Sequence, residues 1–147
     1  MANDVPQNLK NHARFVPAYH FVAFFIVGVN VLWTIYKLVR PPFMWGEVMA
    51  FFLAIAIGII YWYIRVFALT VQDRIIRLEM RLRLQQLLPD DLKKHIGEFS
   101  VGQLVALRFA GDAELPALAR KVIEGDIKDR KAIKAMITDW QGDYLRA

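Results

Sequence analysis

With 147 residues, 56% of them hydrophobic, 22% charged and a net charge of +5, the chain has room for one ordinary domain, or for a membrane hairpin with a small soluble part. A mean hydropathy of +0.30 is high for a soluble domain of this size, so the apolar and charged residues must be segregated along the chain. The absence of cysteine excludes disulfides, thiolate metal sites and thiol nucleophiles.

The chain begins with a largely polar segment of fourteen residues that mixes Asp4 with Lys10 and Arg14 and lacks the A-x-A-like cleavage pattern of a signal peptide. Met1 is therefore read as the mature start, and Ala2, in place of glycine, gives no indication of N-myristoylation.

From Phe15 to Tyr36 the sequence FVPAYHFVAFFIVGVNVLWTIY carries no formal charge over 22 residues. About 20 apolar residues cross a hydrocarbon layer roughly 30 Å thick, which predicts a first span over about 15–38, with Pro17 tolerated in its first turn. Pro41, Pro42 and Gly46 then stop the helix and reverse the chain. The run VMAFFLAIAIGIIYWYI from Val48 to Ile64 predicts a second span over about 46–65, with Arg65 extending its charge to the headgroups. Phe15 and Tyr19, then Trp33, Tyr36 and Trp45, then Tyr61, Trp62 and Tyr63 mark the expected interfaces.

Lys37 and Arg40 are the basic residues at the turn, while Lys10, Arg14, Arg65, Arg74, Arg77, Arg81 and Arg83 lie on the terminal side. By the positive-inside rule this places both termini in the cytoplasm.

No proline or glycine intervenes between Gly58 and Leu88, so the second span should continue as a cytoplasmic stalk helix over 65–88. Val71, Ile75, Leu78 and Leu82 form an apolar stripe that needs cover, and the short helices of the tail are its natural cover. Self-association through the same stripe stays open as an alternative. Asp73 with Arg77 and Glu79 with Arg83 have i, i+4 spacing, which leaves Arg74 and Arg81 to attract an anionic leaflet.

Residues 89–147 should form a small helical domain of three or four helices. Asp90 and Asp91 are expected to cap LKKHI, Ser100 to cap VGQLVALRFA, Asp112 to cap ELPALARKVIE up to Gly125, and Asp126 to begin a helix whose stripe is Ile127, Ile133, Met136, Ile137 and Trp140. The expected fold is all-α: a two-helix transmembrane hairpin, a stalk and short helices, with a polar segment over 1–14.

Within the spans, His20 is the candidate cofactor ligand, since an intramembrane histidine can hold haem or a pigment metal. The alternative is an interface histidine bonded to backbone or headgroups. Asn30 needs a hydrogen-bond partner in lipid, and Gly28 and Gly58 permit close helix approach, so all three are read as helix-packing positions. The stalk arginines lack an aromatic platform and give no nucleic-acid signature. No P-loop, GxSxG, HExxH or dinucleotide pattern occurs, so no catalytic residue, metal or cofactor is assigned and an enzyme acting alone is not expected.

The stretches NHARFVPAYHF, FALTVQDRIIRLEMRLR, QLVALRFAGDAEL and IKAMITDWQGDYLR together resemble a family of small bacterial membrane proteins classed as a domain of unknown function. The resemblance implies a bacterial source, two spans and no established activity, and with the orientation above the expected location is the bacterial inner membrane. Matching positions include Asn11, His12, Arg14, Tyr19, His20, Gln72, Asp73, Arg74, Arg108, Asp139 and Trp140. Asn11, His12 and Arg14 leave the first span on the side where Gln72, Asp73 and Arg74 leave the second, predicting a polar cluster that clamps the hairpin or holds a lipid phosphate. The functional expectation is a membrane accessory or scaffold subunit with lipids and a membrane protein, or a second copy, as partners. The alternatives are a His20-ligating cofactor subunit and an anionic-lipid-binding module using Arg74 and Arg81.

Overall fold

A computed structural model describes residues 7–9, 11, 15–42 and 44–143. All regular elements among them are helical, and the chain divides into two compact units, Arg14–Leu69 and Thr70–Ala147 together with Met1–Ala13.

In the first unit a π-helical stretch, Ala18–Ala23, leads into helix α1, Phe24–Val39. The link that follows contains Pro41 and Pro42, neither of which can continue an α-helical hydrogen-bond ladder. Helix α2, Trp45–Leu87, is a single helix of 43 residues, consistent with the lack of glycine and proline after Gly58. Its first part pairs antiparallel with α1: Tyr19 and Tyr61 each donate their hydroxyl to the other's carbonyl at 2.7 and 2.8 Å, Gly58 faces Val27, and Lys37 pairs with Glu47 at 3.1 Å. The two small residues Thr34 and Ala54 are the buried positions here. The Thr34 hydroxyl donates to the Val31 carbonyl 2.9 Å away, which spares it any need for water.

The second unit has a conventional core. Ile76, Met80, Leu84 and Leu88, spaced by four, project one face of α2 into a cluster with Leu92, Ile96, Phe99, Leu104, Leu107, Leu115, Leu118, Val122 and Ile133. The helices supplying most of them are α3, Asp90–Lys93, α4, Val101–Leu107, α5, Leu115–Glu124, and α6, Arg130–Ala135, while Ile96 and Phe99 come from a short 3-10 turn, Ile96–Glu98, and the residue after it.

The expected cover of the Val71, Ile75, Leu78 and Leu82 stripe by the tail is not what forms. These four remain 51–62% exposed. Two apolar stripes share the helix, and the one ending at Leu88 leads straight into the Pro89 turn, so the short helices fold back on it.

Ser100 caps α4 through a capping box with Gln103, as its sequence context predicts, and Gly125 ends α5. Three caps differ. Asp90 and Asp91 lie inside the first turn of α3 after Pro89. Asp112 instead pairs with Arg83, leaving Glu114 as the cap residue of α5. Asp129 rather than Asp126 caps α6, accepting from the N–H groups of Lys131 and Ala132.

Candidate functional site

The densest polar arrangement in the helical unit grows from a crossing of two chain segments. After α4 ends, Phe109–Gly111 runs antiparallel to Asp139–Gln141: Gly111 donates to the Asp139 carbonyl at 2.8 Å and Gln141 to the Phe109 carbonyl at 2.7 Å. Gly111 lies close under Asp139, where a Cβ would sit 1.9 Å from the carboxylate and would push that exposed side chain aside. Glu114 holds the same crossing from the other side, accepting from the Thr138 N–H at 3.0 Å, the Thr138 hydroxyl at 2.5 Å and the Asp139 N–H at 3.1 Å. Desolvation pushes the Glu114 carboxyl upward, but the donors from Thr138, Asp139 and Gly111 outweigh it and hold it below the usual range.

Arg83, near the end of α2, spreads its fork across this crossing. Its Nε donates to Asp112 at 2.8 Å, Nη1 to the Arg108 carbonyl at 3.2 Å, and Nη2 to the Ala110 carbonyl at 2.6 Å and to Gln141 at 2.8 Å. Arg108, its side chain 8% exposed, pairs with Asp143 at 3.3 Å and lies 4.6 Å from the centre of the Phe109 ring, which stacks on Trp140 at 4.7 Å. Gln7 then holds Asp143 by two main-chain hydrogen bonds of 3.0 Å.

Glu79, Met80, Arg83, Arg108, Gln141, Gly142 and Asp143 line an open pocket of about 370 Å³. Its cations already face carboxylates, and the Arg83 fork is occupied by protein acceptors. The arrangement therefore fastens α2, the 108–112 turn and the 139–143 segment together. It presents no nucleophile and base in partnership.

The residues singled out in the sequence fall differently. His20 is half-buried, its Nδ1 is 2.9 Å from the Val16 carbonyl, and its ring stacks on Phe15 at 4.6 Å. Among the described residues no group of three metal-ligating side chains occurs. Gly58 touches Val27 in ordinary contact, whereas nothing lies within 4 Å of a Cβ built at Gly28, and Asn30 is exposed. Asn11 forms a local turn with Asn8, each N–H reaching the other's side-chain oxygen at 2.5 and 3.3 Å. His12 and Arg14 lie outside the described residues, and the Asp73 side chain makes no hydrogen bond or ion pair with a described residue. Arg74 is exposed, whereas the Nε of Arg81 is buried without a described hydrogen-bond partner.

Of the positions carrying the family resemblance, Arg108, Asp139 and Trp140 do meet, at the crossing. Gln7, Arg83, Gln141 and Asp143 went unrecognised. Arg83 had been matched to Glu79 four residues away, and nothing in linear spacing signals a contact between residues 7 and 143. A second basic patch, at the turn of the apolar pair, combines Trp33, Lys37, Arg40, Pro41, Met44 and Glu47 around 580 Å³, with the Arg40 guanidinium donating to the Tyr36 hydroxyl.

A family model described as a family of unknown function (DUF6526) matches residues 1–147. This chain belongs to DUF6526. No curated protein and no solved structure matches it. The DUF6526 match extends over both the apolar pair and the helical unit.

Proposed function

We propose that this DUF6526 chain is a two-span protein of the bacterial cytoplasmic membrane, with both termini in the cytoplasm. There it serves as a non-enzymatic accessory or scaffold subunit of a larger membrane assembly. The observation that carries the membrane reading is exposure: the helices over Ala18–Val39 and Trp45–Leu87 each contain an 18-residue apolar window of which only 6% is buried. Such surface is costly in water and favourable in lipid, where burial against protein supplies no extra hydrophobic gain. Aromatic residues at the expected interfaces and the excess of basic residues on the terminal side support the span limits and the orientation.

The accessory role rests on Asn30. Its side chain is exposed and makes no hydrogen bond with a described residue, so in hydrocarbon the side-chain amide would be left for another helix to satisfy. A partner helix in a larger assembly meets that need, and the saturated Arg83 fastening suits a structural rather than catalytic unit.

The test begins with alkaline carbonate washing of native membranes. An integral subunit stays in the pellet, and recovery in the wash rejects the membrane reading. Gentle detergent extraction and native-mass separation then give a stoichiometric complex containing other chains, weakened in Asn30→Leu. A small peak containing this chain alone rejects the accessory role. An absorbance spectrum of the same peak examines His20, since visible bands that vanish in His20→Ala require a cofactor-binding subunit instead.

A further inference from the structure

One face of α2 is left without cover by its own unit. Val71, Ile75, Leu78 and Leu82 recur at spacings of four, three and four and remain more than half exposed, while Ile76, Met80 and Leu84 are taken by the core. The stripe starts six residues beyond Arg65, past the expected end of the second span, so lipid tails do not explain it.

We propose that this stripe is the seam through which two copies of the chain pair, side by side and parallel, as a short coiled coil. The spacing places Val71 and Leu78 at d positions and Ile75 and Leu82 at a positions. Ile75 followed by Leu78 is the β-branched-a, leucine-d combination that favours two strands, whereas Val71 at d and Leu82 at a do not follow it, so the choice of a pair rests on the flanking charges. Arg74 then occupies a g position and Glu79 the next e position. In a parallel pair, the g residue of one helix meets the e residue five positions on in its neighbour, so Arg74 meets Glu79 of the second copy, twice by symmetry. Both side chains are exposed and neither has an ion pair within its own chain among the described residues. Arg81, at the next g position, meets the neutral Gln86. In an antiparallel pair the g rows would face each other, bringing arginine against arginine.

The orientation rests on the membrane reading, because copies inserted the same way in one bilayer present parallel helices. Four side chains per helix make a seam smaller than the roughly 1,200 Å² of stable soluble complexes. Confinement in one membrane compensates by raising effective concentration and removing orientational freedom.

The lack of native cysteine allows a direct test in membranes containing the full chain. Single-cysteine variants Val71→Cys, Ile75→Cys, Leu78→Cys and Leu82→Cys are oxidised beside the off-seam variants Asp73→Cys and Arg77→Cys. Because a disulfide needs Cα atoms within about 7 Å, seam positions should give disulfide-linked dimer at least about fivefold above the off-seam positions. In the Ile75→Cys background, Arg74→Glu should lower the dimer about threefold, and adding Glu79→Arg should restore it, since the exchange regenerates the pair. Equal dimer at seam and off-seam positions, or none at the seam, overturns the pairing if the chain still resists carbonate extraction. Dimer at a single seam position overturns the parallel orientation. Release by carbonate instead rejects the membrane reading on which that orientation rests.

Discussion

The two units of this chain spend their apolar residues in opposite ways. In Arg14–Leu69, Phe25 is 70% exposed, Ile26 61% and Trp33 58%, while burial among the described residues is confined to the small Thr34 and Ala54. In the helical unit, Leu84, Leu104, Leu107, Leu115, Val122 and Ile133 are fully buried. The two regions differ in composition, since the apolar runs of the first carry no charge, and they differ equally in where the apolar surface goes. One set is covered by protein, as in any water-soluble core. The other is left to its surroundings, which is favourable only when those surroundings are themselves apolar.

The largest expected effect breaks this comparison from both sides. Leu84→Ala removes a fully buried side chain and should destabilise the helical unit by about 2–5 kcal/mol, seen as faster hydrogen exchange across 90–140 while the chain stays in the membrane. Phe25→Asp changes a residue that a water-facing helix would barely notice. In lipid it should cost about 3 kcal/mol of insertion, measured as a loss of the carbonate-resistant fraction. Neutral behaviour of Phe25→Asp would mean that the exposed surface of the first unit is not lipid-facing.

Arg83→Ala comes next. It strips hydrogen bonds from Asp112, Gln141 and two main-chain carbonyls, with an expected loss of about 2–3 kcal/mol. Arg83→Lys keeps the charge but not the fork, so it should recover only part of this. Hydrogen exchange at Gly111 and Gln141 reads both, and unchanged protection in Arg83→Ala would remove the fastening from the account. Ser100→Ala should be milder, about 1 kcal/mol, because it deletes one half of the capping box, and its effect should concentrate in the first turn of α4.

The same contrast explains how much could be read from the sequence. The all-helical class, the two apolar runs, the unbroken passage through Arg65 and the caps at Ser100 and Gly125 are local properties, written in composition and in neighbours a few residues apart. The Asp112 cap does not form because a side-chain oxygen that can cap can also serve a distant partner, here Arg83, 29 residues away, whereas Asp126 pairs locally with Lys128 and the helix starts three residues later, after Asp129. Likewise, Val71–Leu82 and Ile76–Leu88 are equally apolar stripes on one helix, and only the fold-back after Pro89 decides which is buried. The Gln7, Arg83, Arg108 and Asp143 contacts join segments far apart in sequence and leave no periodic trace, so the candidate site was visible only as isolated residues such as Arg108 and Trp140.

The smallest effect is a pH dependence confined to the helical unit. The hydrogen bond from Arg120 is the main influence on Asp91 and lowers its carboxyl against a smaller opposing desolvation. Glu114 is also held low, its donors overcoming a larger desolvation. A group with a lower affinity for protons in the folded state stabilises the fold when ionised, so the contribution is fully present above the ordinary carboxylate values of about 4. It is lost as pH falls from there through the depressed folded values, when the unfolded chain binds more protons. Hydrogen exchange around Thr138 and Asp139 should therefore accelerate relative to the apolar pair as the solution is acidified below about pH 4. Thr138→Val, which removes the hydroxyl donor but keeps the N–H groups, should flatten that response. An equal response in both units would show that acid acts on the whole chain rather than through Glu114 and Asp91.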